Sequence, residues 1–490
     1  MQAEPFQRFP YSFARQHGVC LEQSGEEDLL LAYKSGVFPH ILAEARRFAG
    51  KLLSCREVSS EQFEQILAIT YQHESGSAQK FADDVEDSLS LESAASYVAE
   101  TGDLLAQEDD APVIRLINAM LMEAMREKAS DIHIETFEKS LIVRFRIDGI
   151  LQETLKLQPM LAPLLISRVK VMAKLDIAEK RLPQDGRISL RIGGREVDVR
   201  VSTIPTGASE RIVLRLLDKH SGSIGLEYLG ITPSGIDTIT RMISKPHGII
   251  LLTGPTGSGK TTTLYAMLSK LNDRSRNIMT VEDPIEYQIE GIGQTQVNPK
   301  IDMTFARGLR AILRQDPDVV MIGEIRDMET ARIAAQASIT GHLVLSTLHT
   351  NTAIGAVTRL VDMGIEPFLL SSSLVGLMAQ RLVRSLCIHC RQAYNATEEE
   401  CELAGIDDSS VIYRPVGCRE CHGSGYKGRV GIYEILPVDE NMRVLIHKGV
   451  SEHELNRYAH MSHATIADDG RDKILRGITT ISEVMRVSNE

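Results

Sequence analysis

No apolar run in this chain is long enough to cross a membrane, and the first ten residues, Met1 to Pro10, lack the apolar core of a secretory signal. The expected setting is the cytosol. Positive charge is also short: 54 Lys and Arg stand against 66 Asp and Glu, a net charge of −12. That balance argues against a broad cationic surface, so no nucleic-acid partner is expected, although a local basic groove is compatible with it. Cysteine is sparse, with seven residues in 490 and no small secreted framework. In a cytosolic chain these are thiols or metal ligands, not disulfides. Internal repeats and low-complexity tracts are absent, and the length leaves room for about three domains.

What is there begins with Gly254-Pro255-Thr256-Gly257-Ser258-Gly259-Lys260-Thr261, a complete G-x-x-x-x-G-K-S/T phosphate loop directly after the apolar run 248–253. Glycines at these positions let successive backbone N–H groups turn towards phosphates. Lys260 neutralises the β and γ charges, and the Thr261 hydroxyl can ligate Mg²⁺. Thr262 to Leu271 reads as a helix whose N-terminal dipole faces the anion. The chain therefore binds a nucleotide.

Around this loop the chain divides. Residues 1–80 carry short helical patterns such as Glu26 to Tyr33 and name no chemistry. Residues 81–110 contain no Lys or Arg but ten acids, from Asp83 to Asp110, which reads as a self-repelling linker. From 111 to 220 an α+β domain is expected. Val113, Leu116, Ile117, Met120, Leu121 and Ala124 give Pro112 to Lys128 one apolar helical face. Leu141 to Ile147 alternates and ends at the hairpin signal Asp148-Gly149, and Ile188 to Val201 alternates around Gly193-Gly194. Residues 221–233 look like a hinge. From 234 to 385, strand-like runs at 248–253, 278–281, 318–322 and 342–346 separated by helical stretches predict an α/β nucleotide domain with a parallel sheet. A cysteine-rich insertion at 386–430 and a helical tail at 431–490 complete the chain.

Two acids stand at strand ends. Asp318 to Glu324 is a buried-strand pattern that sets Glu324 at the carboxyl edge of the sheet, where it can hold Mg²⁺ through water or orient the attacking water. Glu282, in Glu282-Asp283-Pro284-Ile285-Glu286, is either a second such acid or part of an ordinary acidic turn before proline. His342 and His349 flank a fourth strand. They are either satisfied core hydrogen bonders or sensors of the γ-phosphate, and composition leaves both open. Arg200 falls on a polar strand face, compatible with a surface pair to Glu196 or Asp198.

In this order the motifs resemble the secretion-ATPase family of type II secretion and type IV pilus assembly, and within it the GspE family. Gly254 to Thr262 is similar to its phosphate loop, Thr280 to Glu286 to its aspartate box, Asp318 to Asp327 to its Walker B region and Thr340 to Thr350 to its histidine box. Ala129 to Glu135, Arg181 to Arg187 and Val197 to Pro205 extend the resemblance over about 111 to 435. It implies a RecA-like fold and a hexameric cytoplasmic ATPase with ATP and Mg²⁺. Its partners would be an inner-membrane secretion protein, whose cytoplasmic domain meets residues 1–80, and a membrane platform protein. Arg200 and Arg215 would swing over the nucleotide in arginine-finger fashion, while Arg310, Arg314 and Arg326 match family arginines near the subunit boundary. Lys260 would hold phosphates and Glu324 the water, with Glu282 as the alternative base. A pilus-assembly ATPase is the nearest rival; a nucleic-acid translocase and a non-hydrolysing ATP-binding scaffold are remoter ones.

Cysteine supplies a second signal. Cys387-Ile388-His389-Cys390 and Cys418-Arg419-Glu420-Cys421 form two C-x₂-C pairs, the spacing with which paired knuckles supply four thiolates to a structural Zn²⁺. The 27 residues between them make a loose insertion. Cys418 to His422 also matches a haem-attachment string, but that leaves the first pair unexplained, and a redox pair lacks a thioredoxin-like setting. Zinc is the expectation, and the family's tetracysteine motif agrees. Cys20, Cys55 and Cys401 read as ordinary thiols.

Overall fold

A computed structural model of the chain describes residues 112–192, 195–218, 225–408 and 410–488, together with 17–23, 29–34, 39–49, 54–59 and a few residues near them. The acidic stretch 81–110 lies outside the described residues. The chain forms two compact units, Met1–His220 and Ser221–Glu490.

The first unit opens with a three-stranded sheet of β1 (Val19–Gln23), β2 (Leu29–Lys34) and β3 (Ser54–Val58), β2 lying in the middle. The helix Pro39–Ala49 makes the crossover between the parallel pair β2 and β3. Glu26 to Tyr33, expected to be helical, is strand from Leu29 onward. Pairing on both edges buries Leu31 and Ala32, and this tertiary pairing outweighs the local helical pattern.

Its larger part is a six-stranded antiparallel sheet of β4 (Asp131–Thr136), β5 (Leu141–Ile147), β6 (Ile150–Leu157), β7 (Gln184–Ile192), β8 (Arg195–Pro205) and β9 (Glu210–Asp218), in the order β6-β5-β4-β9-β8-β7. Leu116, Ile117 and Met120 of the helix Pro112–Arg126 belong to one buried core with Ile132, Ile134, Val143, Phe145 and Leu214 of the sheet. Asp148 and Gly149 both take positive φ, +48° and +87°, as a two-residue hairpin between β5 and β6 requires. The other face of the sheet is charged, because the period of two that buries Ile132 and Ile134 turns Asp131, His133 and Glu135 the opposite way.

The second unit is built on seven strands: β10 (Gly248–Thr253), β11 (Ile278–Glu282), β12 (Gly293–Gln296), β13 (Val319–Ile322), β14 (Leu343–Leu348), β15 (Leu374–Leu386) and β18 (Tyr426–Pro437). Their order is β12-β11-β13-β14-β10-β15-β18, all parallel except the antiparallel last pair. Strands β10, β13 and β14 are buried along their whole length, as expected of parallel strands covered on both faces. Between β15 and β18 the chain adds the small antiparallel pair β16 (Gln392–Asn395) and β17 (Val411–Arg414). Tyr433 to Pro437, expected to start the helical tail, instead continue β18; helices follow at Glu440–Lys448, Glu452–Ala459, Ile466–Leu475 and Ile481–Ser488. Pairing with β15 fixes those five residues as strand. No helix of the described residues is long and apolar enough to cross a membrane.

Candidate active site

Parallel strands gather their carboxyl ends on one edge, and the four chemical motifs meet there because β10, β11, β13 and β14 run the same way. The phosphate loop leaves β10 at Thr253, and the helix Lys260–Leu271 starts on Gly259. Only glycine fits two of its corners. Gly254 and Gly259 have φ of +144° and +86°, and a Cβ at either would come within 2.5 Å of the Gln380 carbonyl oxygen or 2.8 Å of Gln380 Nε2. Lys260 is buried, and its ammonium donates to the carbonyls of Gly254 at 2.7 Å and Pro255 at 3.0 Å. Burial pushes its pKa down to about 8, Arg381 adding to the effect and Glu324 opposing it. Ser258 and Thr263 are buried, Thr261 is exposed and Thr262 is half-buried. Ser258 Oγ is buried with no hydrogen-bond partner inside the loop. An orphaned hydroxyl, a desolvated ammonium and inward-turned backbone suit an oligophosphate.

Glu324 lies two residues past β13, and His349 directly follows β14. One carboxylate oxygen of Glu324 accepts from Arg326 and the other contacts His349 Nε2 at 3.0 Å. Partial burial pushes the Glu324 pKa up, but these two partners outweigh it and hold the group below the usual glutamate value. Arg326 also reaches Asp283 at 3.4 Å and lies over the Phe305 ring. Ser346 and Thr347, inside the histidine motif, spend their hydroxyls on the carbonyls of Ile322 and Gly323, at 2.9 and 2.7 Å. They tie β14 to the end of β13, under Glu324.

Glu282 closes β11 at the same edge but in another environment. It is 2% exposed and accepts from Tyr265, from Thr280 at 2.6 Å and from Gln294 at 3.1 Å. Burial pushes its pKa up against those donors.

The remaining candidate residues belong to other elements. His342 precedes β14, and its carbonyl accepts from Gly248 at the start of β10, so it stands on the sheet edge opposite the phosphate loop. Its Nδ1 sits 2.9 Å from the Ala337 carbonyl, a local tie at the end of the helix Met328–Ile339. His342 is therefore not gathered with the nucleotide residues, the length of β14 intervening. Arg310 is exposed and pairs with Glu329 at 2.5 Å, and Arg314 is exposed beyond the helix Phe305–Ile312. Arg200 and Arg215 belong to the first unit, directly opposite one another on β8 and β9. Arg215 donates to Asp131 at 2.9 Å.

Gln380 and Arg381 of β15 belong to no motif of the sequence. Gln380 is 2% exposed and accepts from Thr263 at 2.8 Å, and Arg381, 4% exposed, donates to the Asn351 carbonyl at 2.9 Å. Together they floor the phosphate loop. A polar-charged pair inside the buried run of β15 is the one signal that points to them.

The four cysteines converge on the far side of the same hairpin. Cys387 follows β15, and Cys418 and Cys421 bracket a short turn before β18. All four sulfurs lie within 4.8 Å of one another, with Cys387–Cys418 at 3.8 Å and both Cys390–Cys421 and Cys418–Cys421 at 3.7 Å. A disulfide needs about 2.05 Å. Sulfurs placed tetrahedrally at about 2.3 Å from a metal would stand about 3.8 Å apart. Burial raises the Cys421 thiol, but N–H groups of Cys418 and Gly425, each 3.2 Å from its sulfur, draw it below the ordinary value. The cluster has the spacing of a set that could hold a metal ion, and it unites the two pairs that haem or redox readings leave apart.

A doubly covered parallel sheet with a phosphate loop, a strand-end acid and a histidine at its carboxyl edge defines a RecA-like P-loop ATPase. Residues 106–486 match the family model for type II/IV secretion system proteins, and residues 8–71 match the model for an N-terminal domain of GSPII protein E. The chain is 61% identical over its full length to type II secretion system protein E of Pseudomonas aeruginosa, of which 97% is covered. It is 55% identical to type II secretion system ATPase E of Vibrio cholerae, again over all of this chain and 98% of the relative. Among solved structures, the pilus retraction motor PilT with bound ADP is 28% identical with a TM-score of 0.53, covering 76% of this chain and 96% of that one. The Legionella pneumophila ATPase DotB, at 22% identity and TM-score 0.57, shares the fold over 76% of this chain and 94% of its own. The chain belongs to the type II/IV secretion system protein family and is an ATP hydrolase of its type II secretion ATPases.

Proposed function

We propose that this ATPase powers type II protein secretion, working as a cytoplasmic homo-hexamer that drives assembly of a pseudopilus and is held at the inner membrane by protein partners. The observation that carries the reading is the match of residues 8–71 to an N-terminal domain of GSPII protein E, ahead of a complete ATPase site. Residues 1–80 would dock the cytoplasmic domain of an inner-membrane secretion protein, and the ring would act on a platform protein. A pilus-assembly ATPase would share the site and differ chiefly in the N-terminal region and the membrane partner.

In this reading the phosphate loop and Lys260 bind the β and γ phosphates. Thr261 and an acid would hold Mg²⁺, which would supply charge neutralisation at the phosphates. Glu324, kept ionised by Arg326 and His349, orients the attacking water and accepts its proton. Arg200 and Arg215 would act as arginine fingers, supplying positive charge to the γ-phosphate. The four cysteines would hold one structural Zn²⁺.

The test is complementation of a secretion-defective strain. Wild type restores export of a reporter, while Lys260→Ala and Glu324→Gln restore neither export nor phosphate release in purified form. Export by Lys260→Ala would overturn the reading. Deletion of residues 1–80 should abolish export and co-purification with the secretion membrane protein, and metal analysis should find one zinc per chain.

A further inference from the structure

The C-terminal helical region has no role in the chemistry described so far, yet one of its side chains grips the segment that carries His349. Glu452 begins the helix Glu452–Ala459. One of its oxygens accepts from Thr352 Oγ1 at 3.1 Å and the other from Thr358 Oγ1 at 3.0 Å. Thr352 Oγ1 in turn accepts from Gly355 N–H at 2.9 Å, so the hydroxyl that Glu452 receives is already oriented by backbone. Three residues upstream is His349, against Glu324.

The same short segment is held from three other sides. Arg381 donates to the Asn351 carbonyl at 2.9 Å, Thr253 at the mouth of the phosphate loop shares its hydroxyl hydrogen between the Thr352 and Met378 carbonyls, each 3.2 Å away, and buried Glu434 of β18 accepts from Ala353 N–H. His349 itself is half exposed. A half-exposed imidazole keeps a 3.0 Å contact only if its backbone is fixed, and these contacts fix it. Glu452 is the member of the set contributed by a helix outside the sheet, more than a hundred residues along the chain from His349.

We infer that Glu452 is a positioning residue for ATP hydrolysis: its carboxylate, through Thr352 and Thr358, sets the segment 349–353 so that His349 meets Glu324. It touches neither nucleotide nor water. The C-terminal helices thereby have a direct mechanical hold on the catalytic acid's partner. This inference rests on the catalytic reading of Glu324 and His349.

A double-mutant cycle on the full-length protein tests it. Glu452→Ala should lower kcat about tenfold with KM for ATP nearly unchanged, because the loss is one of catalytic geometry and not of nucleotide binding. Thr352→Val should reproduce this loss, and Thr352→Ser, which keeps the hydroxyl, should restore most of the activity. In a His349→Ala background, Glu452→Ala should add less than about twofold, since a residue that acts through another has nothing left to position. Equal effects of Glu452→Ala in both backgrounds, or an unchanged kcat, would overturn the inference. If Glu452→Ala fails to fold by circular dichroism, the Thr352 pair carries the same cycle. Full activity in His349→Ala alone would instead remove the catalytic reading of His349, and the inference with it.

Discussion

Neighbouring strands β11 and β13 both lead to a glutamate at the same sheet edge, yet the two acids live in different chemistry. Glu282 is sealed among Tyr265, Thr280 and Gln294, neutral donors that stabilise a buried carboxyl. Glu324 is half-buried between Arg326 and His349, with Lys260 close enough to feel its charge. A strand-end acid thus becomes a candidate base through its partners, not its position. The first environment buries its acid among neutral donors, and the second holds its acid beside a guanidinium and an imidazole.

The largest expected effect separates the two directly. Glu324→Gln should reduce kcat by about 10²-fold or more. Glu282→Gln should keep at least about a tenth of wild-type turnover; equal losses in a phosphate-release assay would erase the distinction. Next comes stability. Tyr265→Phe removes a donor from buried Glu282 and should cost about 1–3 kcal/mol in urea unfolding, with kcat changed far less.

The pH dependence of stability should then differ in sign. Glu282 has a raised pKa in the fold, so its contribution is fully present below the ordinary value of 4.5 and is lost as pH rises through the folded value. Glu324 has a lowered one, so its contribution is present above 4.5 and is lost as pH falls through the folded value. The cost of Glu282→Gln should therefore be greatest at low pH and shrink on raising it, whereas that of Glu324→Gln should shrink on acidification. Parallel slopes for the two variants would contradict the assignment. The smallest effect belongs to the opposite edge of the sheet: His342→Ala should leave kcat within about twofold, as substitutions away from a site usually do. A loss matching that of His349→Ala would return His342 to the site.

The phosphate loop, the Asp318 to Glu324 strand and the cysteine pairs are legible because each is a local pattern whose spacing carries its chemistry. The histidines show where that ends. Both belong to one sequence motif, but seven residues of extended chain separate them by about 23 Å at strand rise, which puts them on opposite edges. Gln380 and Arg381 are illegible for the converse reason. They lie more than a hundred residues from the loop they floor, and only the placement of β15 beside β10 brings them there. The leucines of β2 mislead because a short apolar run fits a buried strand as well as a helix.

The long hairpin of β15 and β18 has one further consequence. Its paired register runs from Leu386 opposite Tyr426, beside the cysteine cluster, down to Gly376 opposite Pro437, passing Gln380 opposite Tyr433 on the way. The cysteines therefore form the turn of a zipper whose lower teeth lie beneath the phosphate loop. A metal that fastened Cys387 and Cys390 to Cys418 and Cys421 would shorten the loop that the chain must close before those teeth can engage, and so would lower the entropy cost of docking the sheet's last strand. Such a metal, at the opposite end of the hairpin from Gln380, would in this way help decide how quickly a newly made chain completes the floor of its phosphate loop.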